Sequence, residues 1–191
     1  MDSGGIIEPF GLRNGVVDIK AEKCTLNDLG AVAALYDKAV LQLTNTVNYP
    51  KWEHKVYPSS ESVKKAISDG VQYMCVEDGE VLGAFILNDN PQGDYGSGDW
   101  KADLNDGEYL VIHTLAVDPD SQGRGIGKFM VKYCIDYASE HGFKAIRLDV
   151  VPENIPARRL YERLGFTFAG EKDLKRDIED IPTFALYELN F

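Results

Sequence analysis

Val117-Asp118-Pro119-Asp120-Ser121-Gln122-Gly123-Arg124-Gly125-Ile126-Gly127-Lys128 ends an apolar strand and opens a helix. Asp118-Pro119 marks a turn, and three glycines at alternate positions lead into a segment with helical periodicity. Glycines admit positive φ and let a backbone approach a ligand closely. The first N–H groups of a helix have no internal partner, and the helix dipole favours an anion there. A diphosphate is the natural occupant. Two familiar phosphate loops do not fit. Gly127-Lys128 is followed by Phe129 rather than Ser or Thr, and Gln122 stands where a Walker A loop begins with glycine. Lys128 replaces the third glycine of a dinucleotide fingerprint, although Asp149 on the next strand imitates its ribose-binding acid.

Working outward, 126–141 is the clearest helix. Ile126, Phe129, Met130, Tyr133, Cys134, Tyr137 and Ala138 form its stripe, and Gly142 stops it. Alternation predicts a strand over 145–151. Asn154 and Pro156 then start a helix whose inner face is Ala157, Leu160, Tyr161 and Leu164, ended by Gly165. Two strands close the chain near 166–169 and 183–190. Upstream, 108–117 reads as a strand. It follows a long polar loop, 88–107, which carries five aspartates and Trp100. Asp78-Gly79 joins strands 71–77 and 80–87 as a hairpin. A short helix runs from about Glu61 to Gly70, with Val63, Ala66 and Ile67 inward. An irregular connection, 45–58, carries Tyr49, Trp52, His54 and Tyr57. Thr25 caps a helix with Asp28 in its first turn, and Leu29, Val32, Ala33, Tyr36, Ala39, Val40 and Leu43 share one face. A first strand is expected over 16–23, after an N-terminal extension, 1–15. The order β-α-α-β-β-β-α-β-α-β-β gives an α/β fold, a mixed sheet with helices on both faces, in one domain over 1–191.

Composition narrows the partners. The 191 residues are 44% hydrophobic and 27% charged, enough for a core. Lys and Arg total 20 against 31 Asp and Glu, a net charge of −11. This argues against nucleic acid and against anionic membrane surfaces, and it favours cationic amines. Cys24, Cys75 and Cys134 stand far apart in no metal-ligand spacing, and the three histidines include no H-x-x-x-H pair, so no metal site is expected. The longest apolar run, 81–87, is too short to span a bilayer, and no signal peptide is visible. A cytoplasmic protein is expected.

The loop Gln122-Gly123-Arg124-Gly125-Ile126-Gly127 matches a relaxed Q-x-x-G-x-G, and it follows Leu115-Ala116-Val117. Downstream stand Asn154, Ala157, Leu160-Tyr161-Glu162 and Leu164-Gly165-Phe166. In these stretches the sequence resembles the GCN5-related N-acetyltransferase (GNAT) superfamily. The resemblance implies a predominantly antiparallel sheet whose central parallel strands, 108–117 and 145–151, splay apart to admit acetyl-CoA. Backbone groups of Leu115, Ala116 and Val117 would bind the pantetheine arm. Gln122, Gly123, Arg124, Gly125, Ile126, Gly127 and Lys128 would hold the diphosphate, with Asn154 a further polar contact. A homodimer is common for this resemblance.

Amine acetylation needs a neutral amine, a polarised thioester carbonyl and a proton for the departing thiolate. Tyr161 is the candidate for the last role, because a phenol of pKa ~10 stays protonated beside a thiol of ~8.5. As base, His113 shares the strand face of Val111 and resembles a histidine of arylalkylamine acetyltransferases; at pKa ~6.5 it would take a proton through water. Glu108 has the opposite parity and needs a bulge to reach the site; bulk water is the remaining route. The resemblance places Tyr49, Trp52 and Tyr57 over the acceptor, a small-molecule or peptide amine, and the acidic 88–107 loop would favour polycations. No cysteine lies near the motif, so direct attack is expected. The alternatives are a non-catalytic acyl-CoA-binding or sensor module on the same fold, and a nicotinamide-dependent enzyme.

Overall fold

A computed structural model describes residues 19–191; the extension and the first residues of the expected opening strand lie outside them. The order of elements is the one read from the sequence. Strands β1 (Lys20–Lys23), β2 (Gln72–Glu77), β3 (Glu80–Asn88), β4 (Tyr109–Val117), β5 (Ala145–Val150), β6 (Thr167–Lys172) and β7 (Phe184–Asn190) alternate with four helices. These are α1 (Leu29–Thr44), α2 (Ser60–Ser68), α3 (Ile126–Glu140) and α4 (Ile155–Arg163). The seven strands form one sheet in the order β1-β2-β3-β4-β5-β7-β6, antiparallel except for β4 beside β5.

Local chemistry sets the boundaries. Asp78 and Gly79 sit at φ +49° and +85°, the paired positive values that a two-residue hairpin turn requires. The Ser59 side chain accepts from the Ser62 N–H and starts α2 one residue before the expected Glu61. Thr25 and Asp28 form the expected reciprocal cap, but around a 3-10 turn (Leu26–Asp28), so the α-helix begins only at Leu29. Leu35 joins the buried face of α1, whereas the expected Leu29, Ala33 and Leu43 are only half-buried.

The core has two sides. On one, α3 buries Ile126, Met130, Val131, Cys134 and Ala138 against Phe85, Leu110, Ile112, Ile146 and Leu148. On the other, α1 and α2 cover Met74, Ala84 and Ala116. Toward β5, β7 and β6 that second side has no helix. Two irregular segments, 89–108 and 173–183, plug it with Tyr95, Trp100, Leu174 and Ile181, which pack on Tyr109, Val111 and Phe184. The 88–107 segment is therefore partly core, and not a free acidic loop. Trp100 donates from Nε1 to the Tyr95 carbonyl at 2.6 Å and stacks on the Tyr95 ring. Buried Arg147 lies 4.2 Å from the Trp100 and Tyr109 ring centres. Such guanidinium-ring stacking holds a cation in an apolar setting.

Candidate active site

The site is a defect in the sheet. β4 and β5 pair only through Tyr109–Ala145, Leu110–Ile146 and Val111–Arg147, and then part. On its other edge, β4 carries a bulge. Gly83 and Ala84 face Val117 and Ala116, but Ile86 faces His113, so β4 holds one extra residue there. Thr114 takes it up at φ +50°. Tyr36 secures the strained point by donating from its hydroxyl to the Thr114 carbonyl at 2.9 Å. The Thr114 hydroxyl also meets the Tyr57 hydroxyl at 2.8 Å. The bulge resets the facing of the strand. Leu110 and Ile112, then Leu115 and Val117, look toward α3; Tyr109, Val111 and His113, then Ala116, look the other way.

A cleft of about 940 Å³ occupies the gap and reaches both sides of the sheet. Leu115, Val117, Val150, Asn154, Ala157 and Tyr161 line it on the α3–α4 side. His113, Asp149, Arg176 and Phe184 line the opposite side, together with Tyr49, Trp52 and Tyr57 of the connection. The strand motif, Gln122, Asn154, Tyr161 and His113 are thus brought to one cavity. Gly123, Arg124, Gly125, Ile126, Gly127 and Lys128 lie outside its lining. They form the loop and first turn of α3, with Gly123 at φ +78° and Gly125, the N-cap, at +82°. Gly125 carries no side-chain oxygen, so no cap side chain occupies the first N–H groups of α3. Ile126 is buried in the core and offers a ligand only backbone. Arg124 is held by Glu77. Lys38 bonds Asp118 and Asp120 at 2.6 and 2.8 Å and fixes the turn before the glycines.

His113 is 8% exposed, and its Nε2 meets Asn88 Oδ1 at 3.2 Å. Burial lowers its pKa, while nearby Asp149 and Arg176 act in opposite directions and Asn90 backbone raises it. The imidazole is therefore neutral at neutral pH. Glu108 is at the far end of β4, below the bulge, and bonds Lys144 and Asn105. Lys144 above all, then Asn105, draw its carboxyl down to about 2. It does not line the cleft, so the bulge does not bring it there. Tyr161 is 7% exposed; its ring meets Phe166 edge-on, and burial pushes its hydroxyl well above the ordinary phenol. That hydroxyl makes no hydrogen bond to the described residues, yet it is not among the sealed, unpaired polar atoms. Asn154 is engaged as the cap of α4, accepting from the Ala157 N–H at 3.2 Å. None of the three cysteines lines the cleft, and burial pushes the Cys24 and Cys75 thiols up to about 12.

The sequence reading missed the floor of the second side. Asp149 accepts from the Tyr95 hydroxyl at 2.6 Å and from Arg176 Nη1 and Nη2 at 2.8 and 2.7 Å. Arg176 also donates to the Gln92 carbonyl from Nε and Nη2. A charged residue inside the apolar run Ala-Ile-Arg-Leu-Asp-Val was the available signal for Asp149; Arg176, in a charged loop, gave none. Of the 88–107 segment only Gln92 lines the cleft, so its five aspartates do not form the expected acidic wall. Among the described residues no cluster of three His, Cys, Asp or Glu is placed to hold a metal ion. No described helix is long and apolar enough to cross a membrane.

Known proteins share this architecture. A GNAT-family acetyltransferase of Streptococcus agalactiae superposes with a TM-score of 0.76 at 17% identity, over 96% of this chain and 99% of that one. At that identity the likeness is one of fold. An uncharacterised N-acetyltransferase of Methanocaldococcus jannaschii is 33% identical over 167 residues, 87% of this chain and 64% of that protein. Spermine/spermidine N(1)-acetyltransferase of Bacillus subtilis is 45% identical over 58 residues, 30% of this chain and 38% of that protein. The chain thus spans less than two-thirds of either relative. The profile of the acetyltransferase (GNAT) family matches residues 38–166, from within α1 to the residue before β6. Those limits enclose the bulged strand, the glycine loop and the parted strands, and the chain belongs to that family.

Proposed function

We propose that the protein is an N-acetyltransferase that moves acetyl from acetyl-CoA to a primary amine by direct attack. The observation that carries the reading is that His113 and Tyr161 reach one cleft from opposite sides of the sheet, through the gap between β4 and β5. The residues present fit acetyl-CoA. Apolar walls from Leu115, Val117 and Ala157 suit its arm, and the uncapped start of α3 suits its diphosphate. The thioester supplies the activated acetyl group.

The acceptor meets that group from the His113 side. As the C–N bond forms and the C–S bond breaks, the proton of the amine passes to the neutral His113 imidazole, directly or through one water. The Tyr161 hydroxyl gives its proton to the departing sulfur and regains one from solvent. A phenol raised by burial remains protonated until that moment. The cysteines, outside the cleft and protonated, favour direct transfer over an acyl-enzyme. Three buried reduced thiols also suit the cytoplasm.

The test is free-thiol release from acetyl-CoA over a panel of amines, with acetyl-CoA binding measured alongside. Amine-dependent release supports the proposal. Tight binding without release on any amine would leave an acyl-CoA-binding module instead.

A further inference from the structure

The acceptor side of the cleft has a composition of its own. Val47, Tyr57 and Ile178, exposed at 54%, 39% and 37%, stand on its lining. They are three of the nine large hydrophobic side chains exposed among the described residues, gathered on one concave surface. Scattered apolar side chains need no explanation, but a group around a cavity marks a binding surface. Trp52 and Phe184 stand on the same lining, with Trp52 edge-on to the rings of Tyr36 and Tyr57.

Charge points the same way. The ionised groups on the lining are Lys51, Arg176 and Asp149. Asp149 is the only carboxylate among them, and Arg176 and Tyr95 already occupy both of its oxygens. Lys51 is paired in turn with Asp180, so the lining offers no spare carboxylate and no spare cation. Glu53, Glu179 and Asp180 belong to a separate pocket of about 270 Å³, bordered by Lys51 and Ile178, and Asp180 lies 3.5 Å from Lys51. A second ammonium in the cleft would find no unpaired carboxylate on the lining and would have to compete with Arg176 or Lys51 for the partner each already holds.

We infer that the acceptor is a monoamine whose amino group is borne on an apolar aryl or alkyl body, and not a polyamine or a basic peptide. This rests on the acetyl transfer proposed above and names its substrate class. The local identity to a spermine/spermidine acetyltransferase covers 58 residues and leaves the lining free to differ.

The experiment compares kcat/KM for 2-phenylethylamine, hexylamine and spermidine by thiol release at one ionic strength, with acetyl-CoA affinity measured calorimetrically. The apolar monoamines should exceed spermidine by at least about tenfold. Lys51→Glu, at an exposed position, should narrow that ratio by at least about fivefold by giving the second ammonium a partner. Equal or better use of spermidine by the unaltered protein would overturn the inference while leaving acetyl transfer intact. So would a ratio that Lys51→Glu does not move. Bound acetyl-CoA with no release on any amine would instead overturn the transfer itself, and the inference with it.

Discussion

Tyr161 lies on the face of α4 that packs against the sheet, yet its hydroxyl bonds no group among the described residues. A residue present only for packing among those described residues would lose nothing by losing that oxygen. Tyr161→Phe should keep stability near that of the parent and leave acetyl-CoA affinity unchanged, while turnover falls at least about tenfold. The deficit should shrink with a donor whose leaving thiol is more acidic. Turnover on both donors, read beside affinity, separates these roles, and full activity would remove the general acid. At His113 the sign of the pKa shift decides the test. Burial keeps the imidazole neutral, so the acid limb of the pH profile should fall below the ordinary ~6.5. Activity is present above that limb and is lost as pH drops through it. His113→Ala should erase the limb; a profile unchanged in the variant would leave proton removal to water. The depressed value also weakens the fold as pH falls below about 6.5, because the unfolded chain takes the proton first. That both residues line one cleft was legible from the motif and from strand parity. Asp149 stood out only as an acid imitating a ribose ligand, and its pairing with Arg176 was not legible, because it joins residues 27 apart in sequence through a loop without periodicity.

At the scale of elements, periodicity and punctuation located every strand and helix of the described chain within a few residues. Apolar stripes and capping side chains are local properties, and they survive in a one-dimensional reading. The bulge in β4 is different. Nothing in Tyr-Leu-Val-Ile-His-Thr-Leu-Ala-Val announces that Thr114 will adopt φ +50°, since Tyr36 and Tyr57 hold it there from 78 and 57 residues away. The start of α3 is legible because its strain is met by glycine. Gly125 has open space around a would-be Cβ, but its φ of +82° penalises any other residue. Acetyl-CoA at about 100 times its dissociation constant should stabilise the protein by about 2.7 kcal/mol through mass action. Gly125→Asp, which brings a carboxylate to the expected diphosphate site, should abolish most of that shift. Thermal melts with and without acetyl-CoA measure it, and an equal shift in the variant would move the diphosphate elsewhere.

Across the whole molecule, the 88–107 and 173–183 segments do the work of a missing helix. Asp149 of β5 joins them, accepting from Tyr95 of the first and Arg176 of the second; the Arg176 and Asp149 side chains are 14% and 10% exposed. Removing one partner of a buried pair strands the other charge, at about 3–5 kcal/mol. Arg176→Met should therefore destabilise the protein by about 3 kcal/mol or more in urea. Adding Asp149→Asn should recover part of the loss, giving a coupling well above ~0.5 kcal/mol. Additive losses would show that the two side chains do not depend on each other. The expectation that the acidic 88–107 loop favours polycations at the acceptor meets a segment whose five aspartates are exposed and lie outside the cleft lining. Tyr95 and Trp100 set the placement of the segment, and Asp99 and Asp106 only decorate it with surface contacts.

The parting of β4 from β5 has a thermodynamic consequence. Three residue pairs are the whole strand pairing between β1-β2-β3-β4 and β5-β7-β6; the rest of the join is the packing of α3 and the bonds that the 89–108 segment makes to the second half, such as Lys101 N–H to Glu188 and Arg147 to the Ala102 carbonyl. Where strand pairing is this thin, the two halves are held by side chains and loop more than by the sheet ladder, and local opening there needs few backbone hydrogen bonds broken. A ligand lying in the seam touches both and binds neither alone, so its binding free energy adds to their coupling. Acetyl-CoA would then act as a mortar as well as a substrate: each turnover would begin with a more cooperative protein and end with a looser one, and the release of product would coincide with the return of that looseness.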